Sequence, residues 1–293
     1  MRGFGVEPDA IRLLRRRYNV HWLVRSGPRR FVLRRFGVWR GAEDDPAWEV
    51  AWVRRLAEIG LPVPAPICEP RLVDGALHML MPFLAGRIVA DGHATAAGYR
   101  AIGRELAHFH AAIAEAPLPA QRPGYGETVA GALPVAGGRA RRGELLAALA
   151  RCNAAFARAF AEAADALEAR DLPRVFEGRP RLVAHGDLSP WNVRYARGRL
   201  TGLIDFELSH VDVRAADLAA SRRGWHDAVV DGYLEVAPLA EAELAALDGL
   251  WLGGVLSGVW RVLEDRITAG EADLDHGLDW NYEQLAKTRP YLG

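Results

Sequence analysis

Val20, Trp22 and Val24 alternate with other residues at the period of a half-buried strand. That run covers residues 19–25, and a second, residues 30–35, follows across the Ser26-Gly27-Pro28 turn. Ahead of them, Ile11 and Leu14, with Tyr18 beyond, recur at helical spacing and predict a helix over residues 10–17. Asp45-Pro46 opens another helix, which Trp48, Val50, Val53 and Leu56 carry toward Gly60. Pro62, Pro64 and Pro66 make residues 61–66 an extended connector, because the residue before each proline is driven out of the α region. Strands over 67–73 and 76–81 turn at Asp74-Gly75. Beyond Phe83 the period changes to helical. Residues 99–115 place Ile102, Leu106, Phe109 and Ile113 on one side, residues 118–138 are a Pro- and Gly-rich loop, and residues 141–170 predict one long Ala-rich helical stretch. A hairpin, residues 193–195 and 200–204 about Gly198, interrupts the helices, which resume over about 215–285. The fold class expected is α+β, with a small β-rich N-terminal part and a large, mainly helical remainder.

Composition narrows the function classes more than the fold. Of 293 residues half are apolar and a quarter charged, ordinary for a globular chain. The first residues lack an apolar signal core, and the greasiest run, residues 249–260, is too short to span a bilayer and is broken by glycines. Cys68 and Cys152 lie far apart without metal-ligand spacing, so reduced thiols in a cytoplasmic protein are expected. Net charge is zero, yet residues 1–40 hold eleven Arg against Glu7 and Asp9. A basic N-terminal region suits a polyphosphate ligand, and an acidic remainder suits metal and a cationic acceptor. No base-stacking motif accompanies the charge, so neither a nucleic-acid nor a membrane partner is expected.

The chemistry concentrates in Leu182-Val183-Ala184-His185-Gly186-Asp187-Leu188-Ser189-Pro190-Trp191-Asn192-Val193, followed by Leu203-Ile204-Asp205-Phe206-Glu207. Moving a phosphoryl group from a magnesium-bound nucleotide needs one carboxylate to take or orient the acceptor's hydroxyl proton. It also needs oxygen ligands that hold metal against the triphosphate. Asp187 fits the first task, and Asn192 and Asp205 fit the second. His185 suits packing of the loop better than base chemistry.

His185-Gly186-Asp187-Leu188-Ser189-Pro190-Trp191-Asn192 resembles the H-G-D-x-x-x-x-N loop of the aminoglycoside phosphotransferase/choline kinase-type enzymes, relatives of the protein kinases. Leu203-Ile204-Asp205-Phe206-Glu207 resembles their metal motif, and Val213 to Ala219 the helix start that follows. Leu106-Ala107-His108-Phe109-His110 and Gly60-Leu61-Pro62-Val63-Pro64 resemble two further family motifs, in the right order. The resemblance implies a bilobal kinase-like fold, with a nucleotide-binding lobe over 1–84 and a catalytic and acceptor-binding lobe over 85–293. It also implies ATP or GTP with Mg²⁺, and a role for Asp217 in tying down the catalytic loop.

Kinases hold the nucleotide phosphates with a strand Lys paired to a helix Glu, but the one lysine of this chain is Lys287. Arg34 sits where the family places that cation, with Arg35 its rival, and guanidinium pairs well with phosphate. Glu49 is the expected partner. No glycine-rich loop is present, since Ser26-Gly27-Pro28 is a tight turn with one glycine and shows no phosphate cover, and Met81 and Phe83 are the candidates to meet the purine. For the acceptor, residues 261–283 hold seven acids against Arg261 and Arg266, with Trp260, Trp280 and Tyr282 interleaved. Glu207, Glu264, Asp265 and Trp280 are the candidate contacts to an amine-bearing acceptor. The leading expectation is an O-phosphotransferase for a small hydroxylated molecule, an antibiotic first. A metabolic kinase for homoserine, choline or a sugar amine stands second, and a non-catalytic pseudokinase third.

Overall fold

A computed structural model describes residues 2–16, 19–37, 45–88, 95–130 and 138–288. It divides into two compact units. One comprises Met1–Gly98, Gln121–Tyr125 and Ser189–Ser209, and the other Tyr99–Ala120, Gly126–Leu188 and His210–Gly293.

The first unit is built on β1 (Ala10–Arg16), β2 (Val20–Ser26), β3 (Arg29–Arg35), β4 (Arg71–Val73) and β5 (Ala76–Pro82). They form an antiparallel sheet in the order β1-β2-β3-β5-β4. Alternation sorts its side chains into two apolar clusters. Val24, Phe31 and Leu80 pack with Phe4 and Val6 of the N-terminal segment. Met79 and Met81 pack with Phe36 and with Val50 of α1 (Asp45–Glu58). A smaller sheet joins β6 (Arg87–Ile88), β8 (Val193–Ala196) and β9 (Arg199–Leu203) in the order β6-β8-β9.

The helix expected over 10–17 is strand β1, an edge strand exposed along its length; Arg17 and Tyr18 lie outside the described residues. The misreading has a physical cause. Between Leu13 and Arg15 the register with β2 slips by one residue, so Leu14 is extra and the alternation breaks. A bulged strand then shows apolar residues at spacings that imitate a helix.

The second unit is helical: α2 (Ala96–Ile113, its first turn in the other unit), α3 (Gly138–Cys152), α4 (Ala154–Glu168), α5 (Leu172–Val175), α6 (Arg214–Arg222), α7 (Asp227–Leu234), α8 (Glu241–Ala245), α9 (Leu247–Ala269) and α10 (Asp279–Thr288). One antiparallel pair, β7 (Leu182–Ala184) with β10 (His210–Asp212), frames the start of the candidate catalytic loop. The helical stretch expected over 141–170 consists of two helices, because Asn153 caps α4 by accepting from Phe156 N. Helices α2 and α7 cross so closely that a Cβ on Gly103 would lie 1.9 Å from the Val229 carbonyl oxygen, and one on Gly232 as near that of Arg100. Part of the expected 118–138 loop, residues 131–137, lies outside the described residues. Among the described residues no helix is long and apolar enough to cross a membrane. The α+β expectation is met: an antiparallel N-terminal sheet and a mainly helical remainder.

Candidate active site

In the first unit the β8–β9 hairpin decides where two of the candidate ligands go. Asn192 immediately precedes β8, and Asp205 follows β9 after one intervening residue. Val193 pairs with Leu203, and Ile204 N donates to the Asn192 carbonyl at 2.9 Å, closing the open end of the hairpin. An amide oxygen and a carboxylate are thus carried on two segments locked by one backbone bond. Asp205 takes φ 71° and ψ 59°, a left-handed conformation that Asp tolerates better than most L-residues. Both side chains offer hard oxygen donors of the type magnesium accepts. Among the described residues no group of three His, Cys, Asp or Glu side chains is arranged for metal.

Arg34 on β3 is buried and bonds both oxygens of Glu49 on α1, the second at 3.4 Å. Its other neighbour is Glu207, at 3.6 Å. Burial alone would lower the Arg34 pKa, but Glu49, Glu207 and Asp205 outweigh it and hold the guanidinium more firmly charged than usual. Burial likewise pushes Glu49 upward, and Arg34 with Arg122 overcomes it, leaving the carboxylate below its ordinary range. Arg35, on the opposite face, is exposed.

Arg122 escaped the sequence reading. It lies in the loop region between α2 and α3 and is buried, with every arm of its guanidinium used. Nε donates to Asp45, one terminal nitrogen to Glu49 at 3.1 Å, and the other to the carbonyls of Phe206 at 3.0 Å and Ser209 at 3.1 Å. It therefore ties both acids of α1 to the turn that follows Asp205. No local pattern could have found it, since its carboxylate partners are 77 and 73 residues away.

The purine candidates differ in setting. Met81 is buried in the apolar cluster on the α1 side of the sheet. Phe83 is half-buried, with the Arg30 guanidinium 4.5 Å and that of Arg194 5.6 Å from its ring centre. Glu207 has its carboxylate engaged by Asn19 and Arg34, and its carbonyl accepts from the Tyr125 hydroxyl at 2.7 Å.

In the second unit, Asp217 in the first turn of α6 organises the loop that carries Asp187. Its carboxylate accepts from the backbone N–H of His185 at 2.6 Å and of Gly186 at 2.9 Å. The buried His110 reaches the same carboxylate at 3.1 Å, and its other ring nitrogen meets the Tyr233 hydroxyl at 2.9 Å. Burial would raise the Asp217 pKa; His110, His185 and the Gly186 N–H reverse that and hold it below the usual carboxylate value. His185 is fully buried, and its Nδ1 accepts from Asp187 N at 3.3 Å, so it braces the loop.

Asp187 itself meets a cation: Arg223 donates to its carboxylate at 2.5 Å. Arg223 closes α6 in a left-handed conformation, φ 54°. Beside it Tyr99 stacks on His226 at 3.8 Å, and Lys287 lies 4.6 Å from the Trp225 ring. Burial, then Arg223, holds His226 below its ordinary pKa, with Lys287 adding and Asp227 opposing.

Glu264 on α9 pairs with Arg141 at 3.4 Å. Its neighbour Asp265 is pushed upward by burial, with Arg261 opposing and Glu264 adding. Trp280 is half-exposed and meets Trp251 edge-on at 6.3 Å. Trp260 is in the core, and Tyr282 stacks on Phe156 at 4.5 Å, so neither continues an aromatic wall.

A sheet that holds a buried Arg–Glu pair, a hairpin flanked by an Asn and an Asp, and a carboxylate-tied H-G-D loop define a phosphotransferase of kinase-like fold. Residues 10–251 match the phosphotransferase enzyme family, APH, and the chain belongs to that family. It is a phosphotransferase with an alcohol group as acceptor, acting on a small molecule. A protein of Deinococcus radiodurans is 30% identical, with 87% of this chain and 79% of the relative covered. A homoserine kinase of Chelativorans sp. strain BNC1 is also 30% identical, over 76% of this chain and 70% of its own. Among solved structures, apo aminoglycoside phosphotransferase APH(4)-Ia superposes with a TM-score of 0.65 at 18% identity, covering 99% of this chain and 97% of the other. A microcompartment-associated aminopropanol kinase superposes at 0.60 and 17% identity, covering 97% and 90%. At such identities the likeness concerns the fold.

Proposed function

We propose that this chain transfers the γ-phosphoryl group of magnesium ATP or GTP to a small metabolic alcohol bearing a carboxylate. The acceptor would be of the kind that the name of its homoserine kinase relatives denotes. The observation that carries the acceptor half of this reading is Arg223 against Asp187. A polycationic antibiotic brought to Asp187 would meet that guanidinium beside the carboxylate it neutralises, so the pair offers an amine no net negative charge. A carboxylate would be drawn to it.

Asp187 takes the proton of the acceptor hydroxyl or aims it for in-line attack on the γ-phosphorus. A bond forms from acceptor oxygen to phosphorus as the bond to the bridging oxygen breaks, releasing nucleoside diphosphate and a phosphate ester. Asn192 and Asp205 would hold Mg²⁺, which neutralises charge on the phosphates when bound. Asp217 fixes the turn that presents Asp187, through the amides of His185 and Gly186. Arg34, held by Glu49, supplies a fixed positive charge for the phosphates, and Met81 and Phe83 are assigned to the purine. Nucleotide use is in keeping with a structural neighbour solved as a ternary complex with ADP and hygromycin B.

An antibiotic acceptor is the second reading, favoured by the acids of 261–283 and by half-exposed Trp280. It would use Glu207, Glu264, Asp265 and Trp280 as contacts. A coupled assay of nucleoside diphosphate release tests both, with homoserine and amino alcohols in one panel and hygromycin B and other aminoglycosides in the other. Turnover with hydroxy amino acids, abolished in Asp187→Asn, is the expected result. Turnover confined to the antibiotics overturns the metabolic acceptor in favour of the second reading.

A further inference from the structure

The bulge in β1 has a directional consequence. In an unbroken strand Arg12 and Arg15 would face opposite sides of the sheet, because the side-chain period is two. The extra Leu14 shifts the alternation, so Arg15 lies opposite His21 of β2, and His21 lies opposite Arg34 of β3. Arg15, His21 and Arg34 thus form one row across three strands, on the face that α1 covers. The row leads to the candidate metal ligand: the Arg15 guanidinium is 3.8 Å from the Asp205 carboxylate.

Within the row the two arginines are not equivalent. Arg34 is buried and already committed to Glu49 and Glu207, and its Nε has no partner among the described residues. Arg15 is about half-exposed and makes one long ion pair, which a stronger anion can displace. Both guanidinium groups act on His21, which burial, Arg34 and Arg15 together keep uncharged at neutral pH. His21 is therefore a polar, neutral spacer between two cations. Bulges recur beside active sites, where they re-aim a side chain.

We propose that Arg15, turned onto this face by the bulge at Leu14, binds the phosphates of the nucleoside triphosphate and does the work a glycine-rich loop does elsewhere. It pairs with Asp205 until the magnesium nucleotide arrives, then exchanges the carboxylate for phosphate oxygens. The inference rests on the nucleotide reading above and deepens it.

Arg15→Gln and Arg15→Lys, with Arg16→Gln on the opposite face as control, test it by calorimetric titration. Magnesium AMP-PNP should bind about tenfold more weakly to Arg15→Gln, with part of the loss restored in Arg15→Lys, as expected for a charge-assisted contact. Adenosine, which has no phosphate, should bind alike to all of them. Mn²⁺ without nucleotide, followed by electron paramagnetic resonance, should bind Arg15→Gln about two- to fivefold more tightly, because the competing cation is gone. A merely structural arginine would not move metal and nucleotide in opposite directions. Unchanged AMP-PNP affinity, an equal loss for adenosine, or unchanged Mn²⁺ binding overturns the proposal while leaving the nucleotide reading intact. A wild-type chain that binds no nucleotide overturns both.

Discussion

Replacing Arg122 with Met keeps the bulk of the side chain and removes its charge and all five donors. The structure sets the cost. Asp45 loses its arginine, Glu49 keeps only Arg34, and the carbonyls of Phe206 and Ser209 lose their shared donor. Removing one partner of a buried ion pair costs about 3–5 kcal/mol, chiefly because the other charge stays buried. Glu49 retains a second cation and the Asp45 side chain is partly exposed, which keeps the total within that range. At roughly 2–4 °C per kcal/mol for a chain of this size, the melting temperature should fall by about 6–20 °C. Scanning calorimetry is the assay, and the shift should fall on the transition of the first unit if the two units unfold separately. The double variant Arg122→Met/Asp45→Asn supplies the decisive number. Once Asp45 is neutral no charge is stranded there, so the double should be less destabilised than the summed singles by about 1–3 kcal/mol. A shift below about 2 °C for the single variant, or strict additivity in the pair, refutes the reasoning.

Arg34→Ala should lower the melting temperature and raise the KM for nucleotide, while Arg35→Ala, exposed on the other face, should stay within about 0.5 kcal/mol of wild type; equal effects would mean that the buried pair is not the anchor. His21 is pushed down from 6.5 to about 4, first by burial and then by Arg34 and Arg15, so the folded state resists its protonation. Stability should therefore be fully present above pH 6.5 and fall as pH drops toward 4, by at most about 3 kcal/mol. Urea titrations across that window should show the slope in wild type and a flatter one in His21→Gln. Gly103→Ala puts a methyl 1.9 Å from a backbone oxygen and should destabilise by about 1–3 kcal/mol, whereas Gly143→Ala meets nothing within 4 Å and should stabilise by roughly 0.5–1 kcal/mol. Melting curves giving the two the same sign would contradict the close crossing of α2 and α7.

What could be read from the sequence was whatever is encoded locally. Val20, Trp22 and Val24 show a strand because their neighbours in the chain are also their neighbours in the pattern. The H-G-D loop and the hairpin behind it are contiguous, so their order survives in one dimension. Asn153 starts a helix by accepting from Phe156 N, three residues on, but an Ala-rich background on both sides hid the break. The extra residue in β1 is local too, yet it turns the period of two into a spacing that imitates a helix.

The residues missed share one property: their chemistry depends on partners far along the chain. Arg122 is an arginine in a loop until Asp45 and Glu49 are brought to it, and Arg223 is an ordinary helix end until Asp187 is. The same holds for the acids of the acceptor expectation. Seven carboxylates within 261–283 suggested a single negative surface, but a run along the chain becomes a surface only if its elements present it together. Glu264 is answered by Arg141, Trp260 is in the core, and Tyr282 belongs to a stack with Phe156. In the proposed reading, the charge that bears on the acceptor includes Arg223, which sits against Asp187. Composition suggested a cationic acceptor, whereas the proposed reading takes Arg223 as the partner of an anionic one. A local charge balance around Asp187, unlike a count along the chain, is what an incoming substrate meets, because screening removes the influence of exposed charges more than about 10 Å away.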